Sequence, residues 1–196
     1  KLIWFLSEEL EKNPLTKDRL RVVFMEEYNV SLAKEAADSW RRQLSSLTIE
    51  GTDDQKSMFY TSYYRTLINP SVYMDVDGKY RGLDHNTHLA DGFTNYTVFS
   101  LWDTYRAEHP FLMLMKPDQA RDMAMSMIRH QQQSVHGLLP IWSHMANDNW
   151  CMSGYHATSV LADAIAKGAD IDKEEALKAM VTTSKVAYLD GIGEYM

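Results

Sequence analysis

Asp103 stands between Trp102 and Thr104 in the stretch FSLWDTYRAEHP, residues 99 to 110. The apolar spacing there reads as a buried helix, in which a carboxylate costs several kcal/mol unless it is paired or hydrogen-bonded. Two arrangements would satisfy it. Arg106, three residues on, could form an intrahelical salt bridge. Alternatively, the helix end opens onto a polar pocket, with Trp102 as an apolar platform and Asp103 accepting hydrogen bonds from hydroxyls. Spacing alone leaves both open. A second concentration follows in Trp142, His144, Asp148, Trp150 and His156. Indoles, imidazoles and carboxylates at this density suit a sugar pocket, where the flat apolar face of a ring stacks on aromatics.

Other clusters carry less. His85, His88 and Asp91 have metal-ligand types, but their spacing fits no closed zinc pattern, so a polar loop at a pocket rim is expected, leaving Asp84 and Asp91 to face a ligand. DVDG at 75 to 78 begins like a calcium loop, yet Lys79 and Tyr80 occupy the positions where one needs an acid or amide and a glycine. A hairpin turn is the better reading. Met113, Met115, Met123, Met125 and Met127 lie at helical spacing and read as adaptable core filler. NVS at 29 and NYT at 95 match the glycosylation sequon, a pattern common by chance.

These groups must be positioned by a mainly helical chain. Residues 31 to 47 carry apolar residues at i, i+3, i+4 and i+7, and a second helix is signalled from Asp53 to the Asn69-Pro70 stop. SVYMDVDGKYRGL alternates on both sides of Asp77-Gly78, which predicts a hairpin. Helices are then expected from about Tyr96 to Met115, from Pro117 to Gln133, through CMSGYHATSVLADAIAKG to a stop at Gly168, and from Asp172 onward. Residues 2 to 6, LIWFL, suit a short edge strand. The expected class is all-α with a small β insertion.

The chain has 196 residues, 45% hydrophobic and 24% charged, which fits a globular core. Its net charge is -7, and it holds no basic run that could track a phosphate backbone, which argues against nucleic acid as a partner. A single cysteine, Cys151, excludes an internal disulfide or a cysteine-based zinc site. No stretch approaches the roughly 20 apolar residues of a membrane span. The chain starts without Met and stops at GIGEYM, so it is expected to be a piece of a longer polypeptide.

Taken together and in order, DVDGKYRGLD, YTVFSLWDTYRAEHPFL, GLLPIW and CMSGYHATSVLADAIAKG resemble the glycoside hydrolase family 92 α-mannosidases over roughly residues 50 to 190. The resemblance implies a β-sandwich followed by an (α/α)6 toroid. It also implies exo-acting, calcium-dependent release of mannose from α-linked mannans or N-glycans with inversion. On that basis residues 1–12 would end the sandwich, 13–50 would form a linker helix, and 51–196 would be the first half of the toroid, completed by the remainder of the parent polypeptide. A half toroid should expose an apolar seam and aggregate when isolated. A periplasmic, surface or secreted location is likewise implied only by the resemblance.

Carried over residue by residue, the resemblance favours substrate contact for Asp103, with Trp102 and Trp142 shaping the pocket and His156 lining or supporting it. Gly154 matches as well. Where family members commonly have Glu after the tryptophan and an N-E-T run, this chain has Ser143 and NDN at 147 to 149. Asp148 would then replace the Glu of that run with a shorter reach, while the change at 143 touches linkage preference. The family's acid and base segments are not found before Met196, so the chain should hold substrate wall but neither the catalytic pair nor most calcium ligands. A carbohydrate-binding or scaffolding protein on the same toroid is the alternative.

Overall fold

The structure is a computed structural model that describes residues 17–186, with side chains described from Val30 onward. The expected strand at residues 2 to 6 lies outside them. The chain divides into two compact units, residues 1–64 and 65–196.

The first unit holds helix α1 (Lys17–Leu44) and the body of helix α2 (Asp53–Thr66). α1 begins 14 residues before the apolar stripe suggested, because the stripe marks only where a helix buries a face and not where its backbone starts. α2 opens on a reciprocal cap in which Thr52 N donates to Gln55 Oε1 at 2.9 Å and Gln55 N donates to Thr52 Oγ1 at 3.3 Å. Its aromatics pack as a face: Trp40 lies 4.5 Å from Tyr64, and the Tyr63 hydroxyl meets Ser46 Oγ at 2.8 Å.

The second unit is built around helix α5 (Pro117–Gln133), which starts with proline at its first position, where the missing N–H has no helical acceptor in any case. It packs against helices α4 (Glu108–Met115), α6 (Ala157–Ala166) and α7 (Lys173–Ser184). The core they enclose includes Leu112, Met123, Ala124, Met127, Ile128, Leu161 and Ala176. Met113, Met123 and Met127 are buried there and Met125 packs against it, as filler should. α7 is capped as its sequence suggests, with Asp172 Oδ1 accepting from Glu174 N and Glu175 N.

The helix expected through CMSGYHATSVLADAIAKG begins only at Ala157, because Met152 and Gly154 take positive φ and keep residues 151–156 out of it. Two further expectations need correcting. The first is the hairpin. Asp77-Gly78 does turn the chain, but β1 (Ser71–Val72) pairs with β4 (Tyr96–Thr97), while β2 (Lys79–Arg81) pairs with β3 (Thr87–Leu89). The hairpin therefore closes around residues 82 to 86, where Gly82 N donates to Asn86 O and His85 takes a φ of 66°. Strands this short leave too little alternation to reveal their partners. The second is the helix expected from Tyr96 to Met115. Residues 96–97 and 99–100 are strands, and α3 (Leu101–Thr104) is a single turn. Pro110 cannot donate to a carbonyl four residues back and would clash with it, so the chain breaks after α3 and restarts as α4 with Pro110 in its first turn.

Candidate functional site

The extended stretch before α3 changes partners in mid-course. β4 pairs with β1, Val98 takes a φ of 63°, and β5 (Phe99–Ser100) then pairs with β6 (Trp142–Ser143), placing Ser100 opposite Trp142. A β-branched residue in the left-handed region is strained, and it persists only where its surroundings fix it. That exchange brings the two sequence clusters together: Trp102 and Asp103 lie just beyond Ser100, and Trp142 lies across from it.

Asp103 is exposed and not in the core. Its Oδ2 accepts from Ser100 Oγ at 2.6 Å. The salt bridge to Arg106 does not form, because Arg106 Nε instead donates to Tyr105 Oη at 2.6 Å and the guanidinium lies 5.1 Å from the Tyr105 ring centroid. Beside it Trp102 is 45% exposed. Its ring meets His156 edge-on, with centroids 5.4 Å apart, and the opposing Tyr105 ring stacks on the same imidazole at 4.0 Å and 9°. His156 Nε2 is shielded from solvent and has no hydrogen-bond partner among the described residues. Burial, and after it the charge of Arg106, holds His156 below the ordinary histidine range, so the ring is neutral at pH 7.

Asp148 has a different role from the one its sequence neighbours suggest. It is 3% exposed. Oδ1 accepts from Trp142 N at 3.2 Å and Trp150 N at 2.9 Å, and Oδ2 accepts from Ile141 N at 3.0 Å while facing His130 Nε2 at 3.5 Å. Its acceptor capacity is directed at its own loop, so it pins residues 141 to 150 and presents no oxygen to a ligand. Ser143 is 2% exposed and borders a cavity of about 20 Å³, about the room of one water molecule, lined also by Asn95, Thr97 and His130. Position 143 thus faces inward in this chain. The loop continues through Met145, Trp150, Met152 and Gly154, all with positive φ, and Cys151 is exposed among them.

Elsewhere, His88 Nε2 bonds both oxygens of Asp84 at 2.9 and 3.0 Å, and that contact holds the Asp84 carboxyl down to about 2. Arg81 meets His85 Nδ1 at 2.9 Å. Among the described residues no three His, Cys, Asp or Glu side chains converge as a metal site. Asn95 is 5% exposed, with its amide donating to Tyr73 O, so the sequon there cannot carry a glycan in this fold. No helix among the described residues is long and apolar enough to cross a membrane. Tyr105 is the member of the site that sequence reading passed over. Its only signal was its place three residues after Trp102, on the same helical face.

A model of the glycosyl hydrolase family 92 catalytic domain matches residues 26–195. Among solved structures, the chain is similar to the family GH92 α-mannosidase BT3965 from Bacteroides thetaiotaomicron. Identity is 48% over 80% of this chain and 21% of that one, with a TM-score of 0.77, and that protein has also been solved with mannoimidazole. It is similar at 33% identity to the GH92 inverting mannosidase BT2199 from Bacteroides thetaiotaomicron VPI-5482, over 83% of this chain and 23% of that one, with a TM-score of 0.72. The GH92 glycosyl hydrolase ccman5, at 24% identity over 86% of this chain and 23% of that one, shares the fold with a TM-score of 0.64. No curated protein matches the chain. The chain spans about a fifth of the length of the first two of these structures.

Proposed function

This chain belongs to glycosyl hydrolase family 92, and from that premise we propose that the protein carrying it is an exo-acting α-mannosidase in which these residues form part of the sugar-binding wall. The observation that carries the reading is the juxtaposition made by the β5–β6 pairing. An exposed carboxylate with one local hydrogen bond, Asp103, stands beside a half-exposed indole, Trp102, with Trp142 across the ladder. A pyranose offers hydroxyls to the first and an apolar C–H face to the second. Three further features belong to the proposal: inversion, calcium dependence, and mannans or N-glycans as substrates in a periplasmic, surface or secreted setting. So does completion of an (α/α)6 toroid by the rest of the polypeptide.

Within this chain the chemistry is binding and orientation. Asp103 would accept from ring hydroxyls, and Trp102 would exclude water from one face of the sugar. Inverting hydrolysis needs an acid and a base roughly 6.5 to 9.5 Å apart, and both are assigned to the remainder of the protein. The calcium ion of this proposal would be held mostly by residues in the remainder of the protein, where it would bind sugar hydroxyls and help to distort the ring.

The experiment is release of free mannose from α-mannosides by the complete protein, with calcium and after chelation. Asp103→Ala should leave the fold intact and remove most activity. Activity surviving within about threefold, less than 1 kcal/mol in barrier, would remove Asp103 from substrate contact. Mannoside binding without any release of mannose would point instead to a carbohydrate-binding protein.

A further inference from the structure

We propose that Tyr105 is the positioning residue of this site: its ring fixes the imidazole of His156, which in turn fixes the indole of Trp102. This rests on the reading of the site as a mannoside pocket and goes beyond it. The role is given to a residue behind the sugar-facing groups.

Hydrogen bonds do not place His156, since its Nε2 is shielded yet unpartnered among the described residues. Packing must do so. Tyr105 covers one face at 4.0 Å and 9°, and Trp102 meets the ring edge-on at 62°. Gly154 closes the remaining side: a Cβ there would come within 2.7 Å of His156 Nε2, and a φ of 83° already disfavours any side chain. The Tyr105 hydroxyl accepts from Arg106 Nε at 2.6 Å in an exposed bond between chain neighbours, so the flat ring and not this bond holds the imidazole. The ring contacts therefore run in sequence from Tyr105 to His156 and Trp102. Such support matters because Trp102 is 45% exposed on a single helical turn, so contact on its covered side is what restricts its rotamers. The neutral state of His156 suits the role, since a cation would lose more hydration when covered by a ring.

The test uses the complete protein, with methyl α-mannoside binding followed by calorimetry, His156 titration followed by NMR, and thermal melting as the fold control. Tyr105→Phe keeps the ring and should bind within about twofold of wild type. Tyr105→Leu should bind about tenfold more weakly at an unchanged melting temperature, with the His156 midpoint moving upward as water reaches the ring. Wild-type binding by Tyr105→Leu with an unmoved His156 would overturn the proposal, as would a phenylalanine variant as weak as the leucine one. Should Tyr105→Leu unfold, Tyr105→Met, which fills the volume without a flat face, is read by the same criteria. If wild type binds no mannoside, the pocket reading fails by itself, and the His156 midpoint in the same variants still decides the stack.

Discussion

Two carboxylates beside tryptophans, Asp103 and Asp148, look alike in sequence and have opposite fates in the fold. Asp103 is exposed with one hydroxyl partner, so its removal should cost the fold about 1 kcal/mol or less. Asp148 is buried and holds three backbone amides. In Asp148→Asn one carboxylate oxygen becomes an NH2 group facing backbone donors, so the variant should lose roughly 3 kcal/mol. Denaturant melts would show this, and a midpoint unchanged from wild type would mean the loop has another anchor. Residue types were legible here because sugar chemistry restricts them. Direction was not, because for Asp103 it follows from the pairing of β5 with β6 some forty positions on, and for Asp148 from how its own loop folds back over it.

Among the elements, those that declare themselves locally were legible. The proline start of α5, the Asp172 cap of α7 and the Gly168 stop, with its φ of 84°, are each set by one residue's own chemistry. The ladders that assemble the site were not, since strands of two residues have no period to read. The break around residues 105 to 107 was within reach, because Pro110 forbids the continuous helix that the apolar spacing suggested. Val98 is the element-scale device, a strained residue at the point where the strand changes partners. Val98→Gly should relieve about 1 kcal/mol of strain, offset in part by glycine's greater freedom when unfolded. Its melting temperature should match or exceed that of wild type and should lie above that of Val98→Ala, which keeps a Cβ at the same φ. The reverse order would show that Val98 is held by packing and not by backbone need.

At the scale of the whole molecule, buried titratable groups set how stability responds to pH. Burial holds His109 down to about 4, and it also keeps His130 below its ordinary range despite the nearby Asp148. In the unfolded chain both would take protons near pH 6.5, so the unfolded state binds more protons as pH falls from 6.5 toward 4 and stability is lost across that window. For His109 alone the loss reaches roughly 3 kcal/mol. Glu108 acts in the opposite sense, because burial raises it to about 7. The folded state then holds the extra proton between pH 4.5 and 7, and stability falls as pH rises through that range. Glu108→Gln should therefore raise the melting temperature at pH 8 and leave it unchanged at pH 4.5. An equal gain at both values would assign the effect to packing.

The loop pinned by Asp148 has a kinetic consequence. Surface connections normally trade their amide hydrogens for deuterium within seconds, but the amides of Ile141, Trp142 and Trp150 donate to a carboxylate sealed from water. Exchange at these three must wait for an opening that uncovers a charge, so they should rank with the central turns of α5 among the slowest in the second unit. A segment without helix or long strand would then keep time with the core and hold Trp142 in place.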